Sequence, residues 1–275
     1  MEKTNKYIHD EDVHNLRDPE IIVPILIEAL NPRSVVDVGC GTGTFLKIFE
    51  KEGITDIMGF DGEWVNKDIL SKNISLDKFQ EVDLEKGVPI NRKYDVAICL
   101  EVLEHIDNSF ADVAVKTLTR LSDVIVFSAA IPGQGGQNHV NEQWYGYWVS
   151  KFRKYNYIFH DVFRPIFWNN ENLSWWYKQN MFLVTNDSAS IDINGFEKFM
   201  NNNIQDYIHP KLFLNISTYS QILKDELALK KGEIDMLQKN LDALQKNLEL
   251  IQRGKASLVF YIKLIAKYLL RKIKK

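Results

Sequence analysis

A chain of 275 residues, 45% hydrophobic and 26% charged, has apolar material for one α/β domain of ordinary size plus an appendage. A net charge of −3 gives no overall pull toward nucleic acid, and the polar opening MEKTNKYIHDEDVHNLRDPE lacks the apolar run of a secretion leader. No stretch carries the roughly 18 uninterrupted apolar residues of a spanning helix, and Cys40 and Cys99 stand far apart, so the expected setting is the reducing cytoplasm.

The first apolar helical pattern, PEIIVPILIEAL, covers residues 19–30. Asp18 is a candidate cap and Pro19 suits a first helical turn; Pro24 kinks the helix or moves its start, and Asn31-Pro32 stops it. Residues 34–38 are a β-branched run, read as a buried strand. After the glycines that follow, TFLKIFEKEG reads as a helix ended by Gly53. The alternation then repeats: strand 56–60, short helix 63–70, strands 79–82 and 94–100, helix 110–121, strand 123–129. Such alternation predicts an α/β fold, a parallel sheet with helices on both faces. Residues 141–155 read as a further helix, and the aromatic-rich stretch 157–185 as the last two strands, the final one near 180–185.

Composition changes near Asn201. Leu223, Leu227, Ile234, Leu237, Leu241, Leu244, Leu248 and Ile251 recur at alternating spacings of 3 and 4, with Lys230 the one weak position. That pattern predicts a coiled coil over 223–252, pairing copies of the chain and joined to a domain at 1–200 by a linker at 201–222. After Gln252 there are eight Lys or Arg and no acid, leaving the remainder at −11. Within 255–275, Lys263, Lys267 and Arg271 share one helical face, and Leu258, Ile262, Ile265, Leu269 and Ile273 take the other. This is a basic amphipathic helix, fit to lie on an anionic membrane surface or to pack on the partner chain.

The strongest chemical signal is VVDVGCGTGTF. A buried strand carrying Asp37 runs into Gly39, Cys40, Gly41 and Gly43, and a helix follows. Glycines there allow a tight turn and let a ligand lie against bare backbone. The spacing is G-x-G-x-G, not the G-x-G-x-x-G of dinucleotide-binding proteins. Asp61 ends the second strand 18 residues after Gly43, where a carboxylate can accept both hydrogen bonds of a ribose diol. Asp83 and Leu84 end the third strand, and Glu101 follows the fourth in EVLEHI. All stand at the C-terminal ends of predicted parallel strands, where open α/β sheets bind ligands.

Residues 34–128 resemble a class I S-adenosylmethionine (SAM) dependent methyltransferase, through VDVGCGTG, Asp61, the Asp83-Leu84 pair and EVLEHI. The resemblance implies a seven-stranded Rossmann-like sheet with its last strand antiparallel, and SAM contacts at Gly39, Gly41, Asp61, Asp83, Leu84 and Glu101. The segment SAAIPGQGGQNHVNEQW, with the Asp161 and Arg164 pair and WWYKQN, is similar to a little-characterised bacterial methyltransferase group often associated with surface-glycan assembly, a resemblance that covers roughly residues 15–185. The expected acceptor is therefore a small molecule or glycan intermediate, methylated on oxygen.

In this fold the loop after the fifth strand faces the methyl group. His139 is the first candidate for general base, since imidazole titrates near neutrality. Asn141 and Glu142 are candidates to hold acceptor hydroxyls, and Trp144 to stack on a sugar ring. His105 is the competing base, or a packing residue. Arg164 with Asp161 binds an anionic acceptor or pairs internally, and Trp168, Trp175, Trp176 and Tyr177 line a pocket or fill core. No His/Cys/Asp/Glu set has metal-ligand spacing. Two other readings stay open: a nicotinamide-dependent oxidoreductase, disfavoured by the glycine spacing, and a non-catalytic SAM-binding assembly module.

Overall fold

The computed structural model describes residues 15–89, 92–187, 189, 193–199 and 210–273. The chain forms two units, Met1–Tyr207 and Ile208–Lys275.

In the first unit, β1 (Ser34–Val38), β2 (Asp56–Asp61), β3 (Phe79–Glu81), β4 (Val96–Leu100), β5 (Val124–Ser128), β6 (Tyr157–His160) and β7 (Phe182–Asn186) form one seven-stranded sheet. The spatial order is β3-β2-β1-β4-β5-β7-β6. The first five strands pair in parallel, and β7 runs antiparallel to both β5 and β6. All five residues of SVVDV and of VAICL are buried, the continuous apolar pattern of strands covered on both faces.

The pleat sorts these residues between two cores. Val35 and Ile98 face α1 (Arg17–Leu30) and α2 (Thr44–Lys51), packing with Ile22, Leu26 and Phe49. Val36, Ala97 and Cys99 face α4 (Ala111–Leu121) and α5 (Tyr145–Arg153), packing with Val115, Leu118, Trp148 and Phe152. Short helices α3 (Lys67–Leu70), α6 (Phe163–Phe167) and α7 (Trp175–Asn180) complete this unit among the described residues. Both cysteines are buried thiols.

Several boundaries differ from the sequence reading. Asp18 does not cap α1: it lies inside the helix, buried, and accepts hydrogen bonds from the Ser174 amide at 2.9 Å and hydroxyl at 2.6 Å. It thereby ties α1 to the start of α7. Pro24 lies within α1 on its exposed side. α3 starts at Lys67 because the Asn66 side chain caps it, accepting from the Asp68 and Ile69 amides. α5 starts at Tyr145, not 141, because the preceding backbone bonds elsewhere: Val140 and Asn141 donate to the Glu104 carbonyl, and Gln143 to that of Ala130.

The second unit is one helix, α8 (Pro210–Ile273). The span read as linker is therefore helical from Pro210 onward, and the two expected C-terminal helices are one. Gly254 between them costs only about 1 kcal/mol in a helix interior, too little to break it without a proline. The heptad leucines from Leu223 to Leu248 are exposed along this helix. No described helix is long and apolar enough to cross a membrane.

Candidate active site

The turns after β1, β2, β3 and β4 and the loop after β5 surround a cavity of about 1300 Å³. Its first wall is the glycine turn. The Gly39 and Cys40 amides both donate to the Phe60 carbonyl, at 2.7 and 3.2 Å, which folds the turn against the end of β2. Gly39 has φ +84°, and a Cβ there would lie 2.3 Å from a methyl of Val102. Gly41 donates its amide to Asp61 Oδ2 at 2.7 Å, and Gly62 donates to Oδ1 at 2.6 Å. Gly43 is not on the cavity wall: it precedes α2, and a Cβ there would press on Leu70 and Ile74.

Acids dominate this wall. Burial pushes the Asp61 carboxyl up to about 6, against the pull of the two amides. Asp37 is raised well above the carboxylate range by burial first and by neighbouring Asp61 second. Asp83 and Leu84 also line the cavity. The Asp83 carboxylate accepts from the Glu85 amide at 3.1 Å and pairs with Lys86 at 3.0 Å.

Glu101 closes this end. It adopts φ +55°, a left-handed conformation that few non-glycine residues take, with its amide bonded to the Ser128 hydroxyl and carbonyl. Gln134 Nε2 donates to its carboxylate at 2.7 Å and Asn180 Nδ2 at 3.1 Å, and Asn180 also donates to Gln134 Oε1 at 2.9 Å. Burial raises the Glu101 carboxyl; those amide donors oppose it. Gln134 and fully buried Asn180 carried no role in the sequence reading, although both stand in the quoted segments PGQGGQNH and WWYKQN.

The cavity wall also carries imidazoles. His139 Nδ1 lies 2.8 Å from Glu142 Oε1, and the Glu142 carboxylate also accepts from the Gly133 and Gly135 amides, each at 2.7 Å. Burial raises the Glu142 carboxyl, but these three donors outweigh it and hold it below its ordinary value. The His105 and His139 rings meet edge to face, centroids 4.8 Å apart, and both line the cavity. Glu104, fully buried beside them, has two carboxylate oxygens with no hydrogen-bond partner in the structure. Although spacing predicted no metal set, the fold brings Glu104, His105 and His139 together.

Other candidates fall away from the cavity. Asn141 is buried, 3.4 Å from the Leu103 carbonyl, and accepts from Gln143; it is a packing residue of the loop and neither faces the cavity nor caps α5. Glu142 bonds His139 and does not itself line the cavity. Arg164 pairs with Asp161 at 2.8 Å and stacks over Phe182, away from the cavity, as the internal alternative had it. Trp175, Trp176 and Tyr177 line the cavity; Trp168 does not. Of the His14-Asn15 pair before α1, which the sequence offers as a cover for the cofactor site, His14 lies outside the described residues and Asn15 lines the cavity.

A seven-stranded sheet of this order, with an acid-lined cleft at its C-terminal edge, defines a nucleoside-binding α/β domain. Residues 16–180 match the family described as methyltransferase domain, and the chain belongs to that family, with SAM as its cofactor. The ubiquinone biosynthesis O-methyltransferase of Escherichia coli O127:H6 is 37% identical over 78 residues, 27% of this chain and 32% of that protein; its Citrobacter koseri counterpart gives the same figures. The chain thus spans about a third of the length of these curated relatives. Among solved structures, magnesium protoporphyrin IX methyltransferase from Synechocystis PCC 6803 with bound SAH covers 66% of this chain and 89% of its own, at TM-score 0.48 and 17% identity. CalS10, an amino pentose methyltransferase from Micromonospora echinaspora, covers 66% and 98%, at TM-score 0.47 and 13% identity.

The residues present fit this cofactor. The Gly39–Gly41 turn lines the cavity with backbone that bears no side chain of its own at either glycine, and Asp61 keeps acceptor capacity beyond the bonds it takes from the two amides. A cleft lined by Asp37, Asp61 and Glu101 favours a ligand bearing positive charge. The family match sets aside the nicotinamide reading.

Proposed function

We propose that this protein methylates an oxygen of a sugar or glycan intermediate. The observation that carries the reading is the His139–Glu142 pair, with His139 on the wall of the same cavity as the cofactor acids. SAM supplies a methyl on a positively charged sulfur; the acceptor oxygen takes the methyl, the electron pair of the broken C–S bond stays on sulfur, and the acceptor loses a proton. Glu142 fixes the His139 ring through Nδ1, which leaves Nε2 as the nitrogen to act as general base. Trp175 and Trp176 offer aromatic surface for a sugar ring. Non-catalytic SAM binding is the second reading, and it predicts no turnover.

The chain's C-terminal half of this reading is assembly: copies pair through the leucine heptads of α8, and the basic stretch after Gln252 rests on an anionic cytoplasmic membrane face. The exposed heptad side chains support pairing.

The test is calorimetric titration of SAM into wild type and Asp61→Ala, followed by transfer of labelled methyl into fractionated glycan intermediates. SAM binding weakened by Asp61→Ala and label in one acceptor fraction are expected. His139→Gln should retain SAM binding but lose roughly 10²–10⁴ in turnover, the usual contribution of a general base. Full turnover in that variant would remove His139 from the chemistry; absence of turnover with any fraction would favour the binding module.

A further inference from the structure

We propose that Glu104, His105 and His139 hold a divalent transition-metal ion at the acceptor end of the cavity. The proposal rests on the acceptor-side reading above and gives it a second chemical element.

One ligand atom from each of the three residues lies within 4.8 Å of the others. Ligands of a tetrahedral ion at 2.0–2.2 Å stand roughly 3.4 Å apart, so small side-chain rotations close the set. Two imidazoles and a carboxylate suit zinc, iron or manganese rather than calcium.

Glu104 is the argument for an ion over mere proximity. Its side chain is wholly buried, and although the backbone amides of Glu104 and Ala130 stand near its carboxylate, neither is in hydrogen-bond geometry. A buried carboxylate without a partner is costly, and a metal ion is one of the few partners that removes that cost. Its backbone is fixed: the Glu104 carbonyl accepts from the Val140 and Asn141 amides, both at 2.9 Å. Those two bonds stitch the turn bearing Glu104 and His105 to the loop bearing His139.

The His139 ring is arranged as a ligand would be. A metal-bound imidazole typically gives its other N–H to a carboxylate, which fixes tautomer and orientation. Glu142 takes Nδ1 at 2.8 Å and is itself gripped by the Gly133 and Gly135 amides. With Nδ1 so held, Nε2 is the nitrogen that would take the ion, and residue 136 is a glycine whose Cβ would lie 2.3 Å from that atom. His105 and His139 both line the cavity, so an ion there keeps open positions for a hydroxyl-bearing acceptor. Such an ion lowers the pKa of a bound hydroxyl and so assists the proton loss that the acceptor-side reading requires.

The full chain is titrated with Mn²⁺ alone, following loss of the free-ion EPR signal, and then with Zn²⁺ by calorimetry. One ion per chain is expected. His105→Asn and Glu104→Gln should each weaken it at least tenfold, and Glu142→Gln about 10–100-fold, as for loss of an orienting carboxylate. SAM affinity of each variant, by calorimetry, reports that it is folded; His105→Asn serves should Glu104→Gln not fold. Absence of saturable binding of either ion overturns the proposal, as does binding that survives His105→Asn in a SAM-competent protein. Because the readout is the ion, methyl transfer without ion binding sinks only this inference, and ion binding without methyl transfer sinks only the proposed function.

Discussion

Gly39→Ala is the sharpest test of how the cofactor turn is built. Gly39 has φ +84°, and an added Cβ would stand 2.3 and 2.6 Å from the two methyls of Val102 and 3.1 Å from its Cβ. An L-residue in the left-handed region costs about 1–2 kcal/mol. Forcing a methyl into a filled site adds about 1–3 kcal/mol, because Val102 is β-branched and its rotamers are few. The sum is a loss of about 2–5 kcal/mol, and at about 2–4 °C per kcal/mol for a domain of this size it is visible in a melting curve. Function suffers as well, since Val102 follows Glu101 and any retreat drags the left-handed residue with it. The assay is thermal unfolding with SAM calorimetry on Gly39→Ala, Val102→Ala and the double variant. The double variant should recover the packing part, leaving the backbone part and the cost of the lost valine methyls. If Gly39→Ala lies within about 1 kcal/mol of wild type with unchanged SAM affinity, the close approach is not real. If Val102→Ala restores nothing, the penalty is not steric.

Further outcomes follow from the site and from α8. Asp61 titrates near 6 in the ligand-free protein, so SAM affinity should rise as pH increases from 5 to 7 and then level off; a calorimetric pH series that stays flat in wild type, or keeps its slope in Asp61→Asn, would contradict this. The raised folded value also means that this group's contribution to stability is lost as pH climbs from about 4 to 6, by an amount on the order of 3 kcal/mol, which denaturation at both pH values in wild type and Asp61→Asn can read. Asn180→Leu removes one of the two amide donors to Glu101 and should weaken SAM binding by about 1.5–3 kcal/mol, the worth of a hydrogen bond to a charged group; an unaltered Kd would show that Glu101 does not need it. Leu237→Lys with Leu244→Lys should convert a self-associated chain to monomer in sedimentation, and removing 258–275 should abolish flotation with anionic liposomes; a wild type already monomeric, or equal flotation, would refute each in turn.

What could be read from the sequence is what is local. VVDVGCGTGTF announces its own strand, turn and helix, and β1 occupies the residues its β-branched run marks. Asp61 and Glu101 could be placed because each ends a strand whose apolar pattern is visible. Gln134 and Asn180 could not, since they meet Glu101 across 33 and 79 residues of sequence, the first brought there by the pairing of β4 with β5 and the second by the antiparallel return of β7. Glu104, His105 and His139 are invisible as a group for the same reason: no local spacing encodes a meeting of the β4 turn with the β5 loop. Asn141 misled because polar loop residues look alike until their backbone partners are known, and its neighbourhood is spent on the Glu104 carbonyl. α8 was split in two because heptad and basic patterns differ, while helix continuity depends only on the absence of a strong breaker.

The turn from Gly133 to Gly135 serves two masters. Its amides grip Glu142, and through it His139, while Gln134 between them holds the carboxylate of Glu101. The donor and acceptor halves of the cleft therefore share one short piece of backbone as a common stop. By reciprocity, whatever tightens that piece from one side must raise affinity on the other by the same factor. The enzyme's two ligands are thus expected to be thermodynamically linked, and the order in which they load becomes a property of three residues.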